Sequence, residues 1–382
     1  MRIGHIIQSS SLATGGPVTA MFAMCNALLQ VGSVCNIACR NRNEEIESDL
    51  DPRITISTMD IGRIPFTNRN EMIKLIHFIQ DVDILHLHGL WDSLPGAAAG
   101  LAERFRKPYV VSLHGMLLNR SMANHSFRKK IYLFINGKKI MRHASALHFT
   151  TQLELSQSQP FLPNGTERVV IPLTIDNRLF KKLPDEKQWR NYFPQLPTSW
   201  PRLVFLSRIH PVKNLPSLIN AMPWLVKEFP GLHLVVAGNG EKEYIRHIHQ
   251  SINNAGISQA IYFVGSVSGE AKVALLRSAT ILTIPSFHEN FGMSIAEGLM
   301  CEVPALITPD IGIGTEIIAC GAGIPCREDH ESISAAIAGA LHNPEKLRIA
   351  GDNGRNWALK TLAPGTIATS ILNLYIKISM KR

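Results

Sequence analysis

The sequence predicts an α/β protein with two doubly wound parallel sheets, in two Rossmann-like domains that face each other across a cleft. Short apolar runs alternate with longer helix-like segments along the whole chain, which is the pattern of parallel strands joined by helical crossovers. The chain has 382 residues, 45% of them hydrophobic, and exceeds the usual size of a single core. Two domains are therefore the default expectation.

Five strands are predicted in each half of the chain. They read MRIGHIIQ, VCNIAC, ILHLHG, PYVVSLHG and SALHFTT in the first half, and RLVFLSRI, LHLVVAG, IYFVGS, ATILTIPS and VPALIT in the second. In open parallel sheets, ligands bind outside the carboxyl ends of the strands. We therefore expect the functional side chains in the loops that follow these strands.

A stretch rich in proline and charge separates the two halves. Residues 169–202 lack periodicity, so they are predicted to form an interdomain linker and hinge. The sequence thus predicts a first domain over 1–180, a second over 195–360, and a C-terminal helix over 361–382.

The sequence shows no signal for secretion or membrane insertion. The N-terminal apolar run 3–7 is short and interrupted by His5, and no stretch approaches roughly 18 uninterrupted apolar residues. The six cysteines form no CxxC pair, as expected for reduced and mostly buried thiols. We therefore expect a cytoplasmic protein. The cysteines are Cys25, Cys35, Cys39, Cys301, Cys320 and Cys326.

Residues 120–142 form a basic, amphipathic stretch in a chain of net charge +9. This stretch has seven Lys or Arg and no acid, and the apolar run 131–135 lies between its basic clusters. One interpretation is a solvated helix face beside a stripe that faces the core. The other is peripheral contact with anionic lipid headgroups or a lipid diphosphate on the inner face of the cell membrane. Nucleic acid is not expected as a partner, because no recognised binding module is present.

Two loops have residues suited to bind anions. Gly15 and Gly16, followed by Pro17 and an amphipathic helix, would let backbone N–H groups approach a phosphate at a helix N-terminus. In the second half, Arg208 ends a strand and Lys213 follows in the loop before a helix, so the two cations could bind a diphosphate.

The stretch SFHENFGMSIAEGLM, residues 286–300, contains two carboxylates at a fixed spacing. A helix is predicted to begin near Asn290 or Phe291, which places Glu289 just before it and Glu297 about two turns inside. The two cannot both lie beside one atom. The spacing favours two hydroxyl contacts on one extended ligand, although an acid that stabilises its own helix dipole, with a second exposed acid, stays an alternative.

These motifs together resemble the retaining glycosyltransferases of the GT-B fold, in particular glycosyltransferase family 4 (glycosyl transferases group 1). The resemblance rests on RIHPVKN, VVAGNG, FVGS and ENFGMSIAEGLMCEVPALIT in the second half, and more loosely on ATGGP, ILHLHGLW, VVSLHGML and SALHFTTQLE in the first. It implies an acceptor-side first domain, a donor-binding second domain, and a C-terminal helix that crosses back to the first.

The resemblance also implies a role for each matching residue. Arg208 and Lys213 match the diphosphate-binding pair, Glu289 the acid on the transferred sugar, and Glu297 the acid on the ribose. Together with His114, which matches the histidine near the reacting sugar, Arg208, Lys213 and Glu289 form the predicted catalytic set. The other residues predicted to contact the donor are Gly15, Gly16, Gly238, Val264, Gly265, Asn290, Phe291, Gly292 and Met293.

The chain departs from the family pattern in several loops. Ser207 and Asn214 stand where glycine often flanks the cationic pair, Glu302 replaces a common glycine, and Leu173 and Thr174 replace an Asn-Gly pair. These departures affect loops more than the predicted donor contacts.

By this resemblance, we expect a retaining, metal-independent transfer of a hexose from a nucleotide sugar to a glycan or lipid-linked glycan, in envelope or exopolysaccharide synthesis. UDP-glucose or a related UDP-hexose is the first expectation and GDP-mannose the second. The cationic pair and a helix N-terminus would neutralise the leaving diphosphate without a metal or other cofactor.

Alternatives from other classes stay open. His86 and His88 share one strand face and, with His114, could form the zinc site of a metal-dependent hydrolase. A sugar-nucleotide epimerase of the same fold, or a binding protein without turnover, would also use a sugar-nucleotide site. Asp81-Val82-Asp83 resembles a metal-binding DxD motif, but it is interpreted as a helix end and strand entry.

Overall fold

A computed structural model describes residues 1–10, 16–41, 50–62, 68–123 and 126–381 of the chain. It divides the chain into two compact units. The first unit comprises Met1–Asp176 and Leu362–Arg382, and the second comprises Asn177–Thr361.

Each unit contains one sheet in which every paired strand is parallel to its neighbour. Among the described residues, the first sheet has the order β3-β2-β1-β4-β5-β6-β7 and the second the order β10-β9-β8-β11-β12-β13. Two doubly wound sheets are thus confirmed. The strands are β1 (Arg2–Ser9), β2 (Val34–Asn41), β3 (Thr55–Thr58), β4 (Ile84–His88), β5 (Tyr109–Ser112), β6 (Ala146–Phe149), β7 (Arg168–Val170), β8 (Arg202–Leu206), β9 (His233–Ala237), β10 (Ile261–Gly265), β11 (Ile281–Ile284), β12 (Ala305–Ile307) and β13 (Gly323–Pro325).

Helices connect the strands and cover the sheets. They are α1 (Gly16–Gln30), α2 (Arg69–Gln80), α3 (Ser93–Arg104), α4 (Asn119–Ala123), α5 (Ser126–Tyr132), α6 (Lys138–His143), α7 (Gln152–Ser158), α8 (Leu215–Glu228), α9 (Lys242–Asn254), α10 (Gly269–Arg277), α11 (Met293–Met300), α12 (Gly314–Ala319), α13 (His330–Leu341), α14 (Pro344–Thr361) and α15 (Pro364–Met380). No described helix is both long and apolar enough to span a membrane.

Three edge strands were missed by the sequence prediction. β3 and β7 are the outer strands of the first sheet and β13 is an outer strand of the second. Each has only three or four residues and is mostly half-buried. Such short edge strands lack the continuous apolar run that identifies a central strand.

The sheet of the first unit is covered on both faces. Side chains alternate along β1, so that Ile3 lies in one buried cluster and Ile6 in the other. The C-terminal helix α15 belongs to this unit, where Ile371 and Tyr375 share the cluster of Ile3.

The segment predicted as a linker has structure of its own. β7 occupies its start, and the chain passes from the first unit to the second after Asp176. Within the second unit, Trp189 is buried beneath the guanidinium of Arg202, which lies 3.8 Å from the ring centre. Residues 177–194, expected outside the second domain, therefore pack as part of the second unit.

The Asp81-Val82-Asp83 motif is a helix end and strand entry, as predicted. Asp81 caps α2, Val82 is buried, and a carboxylate oxygen of Asp83 accepts a hydrogen bond of 2.7 Å from the backbone N–H of Arg2.

Candidate functional site

In the second unit, the loops after β8 and β9 pack tightly against each other at the carboxyl edge of the sheet. The N–H of Ile209 donates a hydrogen bond of 2.8 Å to the carbonyl of Asn239. A Cβ on Gly238 would lie 1.9 Å from the carbonyl oxygen of Ser207. Only glycine permits this approach, so Gly238 sets the position of the Arg208 loop.

Lys213 and Glu289 form an ion pair at this edge. The Nζ of Lys213 donates to Oε1 of Glu289, and Lys213 is buried. A backbone hydrogen bond of 2.9 Å from Phe287 to Val212 holds the two loops together. The structure thus brings into contact two residues that were predicted to bind different parts of one donor.

Arg208 is exposed on the same loop, and no carboxylate among the described residues pairs with it. His210 lies two residues further on, and its pKa is lowered by burial and by the charges of Arg208 and Lys213. The loop therefore presents positive charge that a diphosphate would neutralise.

The helix that follows Glu289 begins later than predicted. α11 starts at Met293, so Glu297 lies about one turn inside it rather than two. The preceding residues pair instead with a neighbouring loop: Glu289 donates its N–H to Asp310, and Gly312 and Ile313 donate theirs to Glu289 and Phe291. A Cβ on Gly312 would lie 1.9 Å from the carbonyl oxygen of Asn290, which explains the glycine there.

Glu297 has a partner that the sequence did not reveal. Oε1 of Glu297 accepts a hydrogen bond of 2.7 Å from Nζ of Lys272, near the start of α10. Both side chains are largely buried, with exposures of 13% and 21%. The alternative of an exposed second acid is therefore wrong.

The remaining predicted donor contacts of the second unit lie along the same edge. Gly265 accepts a 2.8 Å hydrogen bond from the N–H of Gly238, and a register shift interrupts the strand pairing beside Val264. Phe291 and Gly292 are buried, and Asn290 and Met293 are half-buried. Phe291 thus contributes to the core as well as to the loop.

Two departures from the family pattern fall at unusual backbone angles. Asn214 has φ of 54° and Glu302 has φ of 62°, in the left-handed region that glycine adopts most easily. Side-chain contacts hold both residues: Nδ2 of Asn214 donates to the carbonyl of Glu328 at 2.8 Å, and Glu302 pairs with Arg277 at 2.8 Å. The backbone therefore keeps the conformation that a glycine would take.

In the first unit, the predicted residues follow β1 and β5. Gly16 begins α1 and is exposed, with open space where a Cβ would lie, whereas Gly15 falls outside the described residues. His114 follows β5 with φ of 48°, a strained angle for a histidine. Burial lowers the pKa of His114 to about 3, with a further contribution from His148, so the ring is neutral near pH 7.

His114 ends a buried row of histidines that the sequence analysis did not describe. Its Nε2 lies 2.9 Å from Nδ1 of His88, and Nε2 of His88 lies 3.0 Å from Nδ1 of His5. These hydrogen bonds fix the orientation of the His114 ring. The sequence contained a signal, since His5, His86 and His88 lie on adjacent strands, but not the pairing register.

A second row of hydrogen-bonded side chains runs beside the first. The carbonyl at one end can only accept a hydrogen bond, and this fixes which atom donates at each further contact. His148 donates from Nε2 to the carbonyl of Ile171 at 2.8 Å, so neutral His148 accepts at Nδ1 from the hydroxyl of Ser112 at 2.7 Å. Ser112 must then accept from His86 Nε2 at 2.6 Å, and His86 Nδ1 accepts from the hydroxyl of Tyr375 at 2.5 Å. Every group in this row has its partner, and burial lowers the pKa of His86 and, to about 4, that of His148.

These hydrogen bonds bear on the proposed zinc site of His86, His88 and His114. Among the described residues, the three-ligand groupings close enough for a metal are His5, His86 and His88, and His5, Cys25 and Cys35. His114 is in neither. Both ring nitrogens of His86 and of His88 have hydrogen-bond partners in this arrangement, so a metal at these rings would replace one of these hydrogen bonds.

The described residues of the basic stretch 120–142 form α4, α5, a π-helical turn over Leu133–Gly137, and α6. The interpretation of a stripe that faces the core is wrong for most of the apolar run 131–135. Only Leu133 of that run is buried. The large apolar side chains exposed in this stretch are Phe127 (75%), Ile131 (43%), Phe134 (83%) and Ile135 (61%).

Models of known families match both halves of the chain. "Glycosyltransferase Family 4" matches residues 14–177, and "Glycosyl transferases group 1" matches residues 192–357. The chain belongs to glycosyltransferase family 4. The recognition made from its motifs is thereby confirmed.

Curated relatives of this family 4 chain are glycosyltransferases of several specificities. A D-inositol 3-phosphate glycosyltransferase of Catenulispora acidiphila is 27% identical over 71% of this chain and 65% of its own length. An MMP alpha-(1->4)-mannosyltransferase of Mycolicibacterium hassiacum is 26% identical over 72% of this chain and 60% of its own length. The match thus spans slightly less than two thirds of either relative.

A solved structure confirms the GT-B fold. Anabaena HepE, in complex with UDP-glucose, matches with a TM-score of 0.80 at 18% identity, over 99% of this chain and all of that one.

Proposed function

We propose that the protein transfers a hexose from a nucleotide sugar to a glycan or lipid-linked glycan, with retention of configuration and without a metal ion. The observation that carries the proposal is the contact of Lys213 with Glu289, beside the exposed Arg208, within the segment matched by the family model. These are the groups that the transfer needs: cations for a leaving diphosphate and a carboxylate for sugar hydroxyls.

The donor proposed first is UDP-glucose or a related UDP-hexose. Its support is the fold shared with HepE, which was solved with UDP-glucose. The mannosyltransferase among the relatives keeps GDP-mannose as the second choice.

In the proposed mechanism, Arg208 and Lys213 bind the diphosphate and stabilise the charge that develops as the glycosidic bond breaks. Glu289 accepts hydrogen bonds from sugar hydroxyls, and Glu297 from the ribose. Gly16, Gly238, Val264, Gly265 and the stretch from Asn290 to Met293 contribute the remaining donor contacts.

His114 is proposed to contact the transferred sugar as a neutral ring. Its lowered pKa means that it carries no charge at neutral pH, so it acts by hydrogen bonding. The acceptor attacks from the face that the diphosphate leaves, and a donor phosphate oxygen takes the acceptor proton. Glu289 forms no covalent intermediate.

Slow hydrolysis of the donor tests both transfer and retention. UDP-glucose is an α-glycoside, so a retaining enzyme that uses water as acceptor releases α-glucose first. Proton NMR of freshly released sugar, in EDTA, should show the α anomer ahead of mutarotation. Release of β-glucose would contradict retention, and loss of turnover in EDTA would contradict metal independence.

We also propose that the stretch 120–142 contacts an anionic membrane surface. Four large apolar side chains are exposed there, beside the exposed cations Arg128, Lys130, Lys138, Lys139 and Arg142. Apolar insertion and basic attraction act together at a headgroup layer. A lipid-linked acceptor would then be met at the surface where it resides.

Vesicle sedimentation tests this contact. The double variant Lys138→Glu/Lys139→Glu should weaken binding to phosphatidylglycerol vesicles about tenfold or more, at roughly 1 kcal/mol per cation removed. Lys181→Glu/Lys182→Glu makes the same change of charge at exposed positions of the second unit and should leave binding unchanged. Equal binding by both variants would refute the contact.

A further inference from the structure

The second unit contains a cavity at the edge of its sheet opposite Arg208. Its volume is about 590 Å³, and its lining includes Arg202, Thr280 and Pro304, which stand at the starts of β8, β11 and β12. Arg208 follows the other end of β8. Arg208 is six positions after Arg202 along extended backbone, a distance of about 20 Å at roughly 3.3 Å per residue. The cavity is therefore distinct from the proposed donor site.

Arg202 is a buried cation of this cavity, with an exposure of 3%. Its Nε donates to Nε2 of His233 at 2.9 Å and its Nη2 to the carbonyl of Pro197 at 2.8 Å, whereas Nη1 has no hydrogen-bond partner among the described residues. No described carboxylate pairs with it. A buried cation normally has such a counter-charge, because its desolvation is costly.

The groups around Arg202 do not compensate its positive charge. Burial and the nearby Arg190 lower the pKa of Arg202 to about 10. His233 is neutral, since burial lowers its pKa to about 4. The groups closest to the guanidinium therefore supply no negative charge.

Each carboxylate in the lining already has a cationic partner. Arg277 lies 3.2 Å from Glu186, Arg355 lies 3.6 Å from Glu302, which Arg277 also contacts at 2.8 Å, and Arg348 lies 2.8 Å from Asp352. Lys187, Arg190 and Arg202 are left without a carboxylate partner among the described residues. The cavity thus has a surplus of positive charge.

An aromatic side chain stands beside these cations. Trp200 lines the cavity and is 57% exposed. An exposed tryptophan offers a flat apolar face on which a ring can pack.

We propose that this cavity binds a phosphorylated sugar, with its phosphate on Arg202 and Arg190 and its ring against Trp200. The planar guanidinium binds phosphate through paired hydrogen bonds, and the free Nη1 of Arg202 is available for one of them. The cavity volume accommodates a small organic phosphate. Because the cavity lies away from Arg208, its occupant can bind together with the donor nucleotide.

Calorimetric titration with ribose 5-phosphate, inorganic phosphate and ribose tests the proposal. We expect one ribose 5-phosphate to bind per chain, more tightly than inorganic phosphate. Ribose alone should show no measurable binding. Arg202→Met should abolish binding, and Arg190→Gln should weaken it about tenfold. Trp200→Ala should reduce the affinity for ribose 5-phosphate to that for phosphate.

A matched control and a second variant keep the test decisive. Arg246→Gln removes one exposed arginine of the same unit outside the cavity and should leave binding unchanged. If Arg202→Met does not fold, the exposed Arg190 and Trp200 still give the answer. Unchanged affinity in both of their variants, or competition between ribose 5-phosphate and UDP, would overturn the proposal.

Discussion

Lys213 and Glu289 neutralise each other in the structure, although the proposed function gives them separate targets. Lys213 is buried and Glu289 largely so, which makes their charges costly without a partner. A nucleotide sugar would supply a phosphate for the lysine and hydroxyls for the carboxylate. The ion pair therefore keeps both groups in place until the donor replaces it.

Removal of either partner should damage catalysis more than folding. Lys213→Ala and Glu289→Ala are each expected to lower kcat/KM for donor turnover about 100-fold or more, the usual cost of losing one electrostatic contact to the transition state. Release of UDP from UDP-glucose measures this. Lys242→Ala, an exposed lysine of the same unit, is the control. Near-full turnover in the site variants would show that the assigned roles are wrong.

Asn214 gives a prediction about stability. Asn214→Ala loses the hydrogen bond to the carbonyl of Glu328 and replaces asparagine by a residue that adopts φ of 54° less easily, so we expect a loss of about 1–2 kcal/mol. Asn214→Gly loses the hydrogen bond but relieves the backbone, and should cost less. Urea unfolding of both variants checks the order, and a glycine variant less stable than the alanine variant would contradict it.

The residues proposed to bind the donor stand in recognisable sequence motifs, whereas the residues that support them do not. Arg208, Lys213, Glu289 and Glu297 belong to a linear motif with fixed spacing. The partner of Glu297, Lys272, lies on another helix, and no local pattern marks it. Contacts between distant segments depend on tertiary packing, which no local sequence pattern indicates.

At the scale of elements, central strands were predictable and edge strands were not. β4, β5, β8 and β9 are fully buried, and their continuous apolar runs identify them. The start of α11 was misplaced because hydrogen bonds to residues 310–313 hold the preceding chain in a loop. The signal for that boundary lies twenty residues away.

The packing of the loops after β8 and β9 should tolerate no side chain at Gly238. Gly238→Ala drives a Cβ into the carbonyl of Ser207, and we expect a loss of about 2–3 kcal/mol together with weaker nucleotide binding. Thermal unfolding and titration with UDP measure the two effects.

Gly339 provides the matched control for this substitution. It lies inside α13 with open space around its Cβ position, so Gly339→Ala should stabilise the protein by about 0.5–1 kcal/mol. Equal effects of the two substitutions would contradict the importance of the loop contact.

At the scale of the whole molecule, acid should destabilise the first unit more than the second. His86, His88, His114 and His148 of the first unit have folded pKa values below the unfolded value of about 6.5, whereas the second unit has two such histidines, His210 and His233. Below pH 6.5 the unfolded chain takes up protons that the folded chain does not. Stability is therefore lost as the pH falls, by at most about 1.4 kcal/mol per pH unit for each histidine.

Hydrogen exchange in urea, followed by mass spectrometry at pH 7.5 and 5.5, resolves the two units. After correction for intrinsic exchange rates, β4 and β5 should lose more protection than β8 and β9. Equal losses would show that the buried histidines do not govern the acid response.

The central claim, a metal-independent sugar-nucleotide site, is tested most directly by calorimetric titration with UDP, GDP, UDP-glucose and GDP-mannose in EDTA. We predict micromolar binding of one nucleotide series, the uridine series first, and its loss in Lys213→Ala. Absence of binding by every nucleotide, or binding that survives in Lys213→Ala, would contradict the site assigned here.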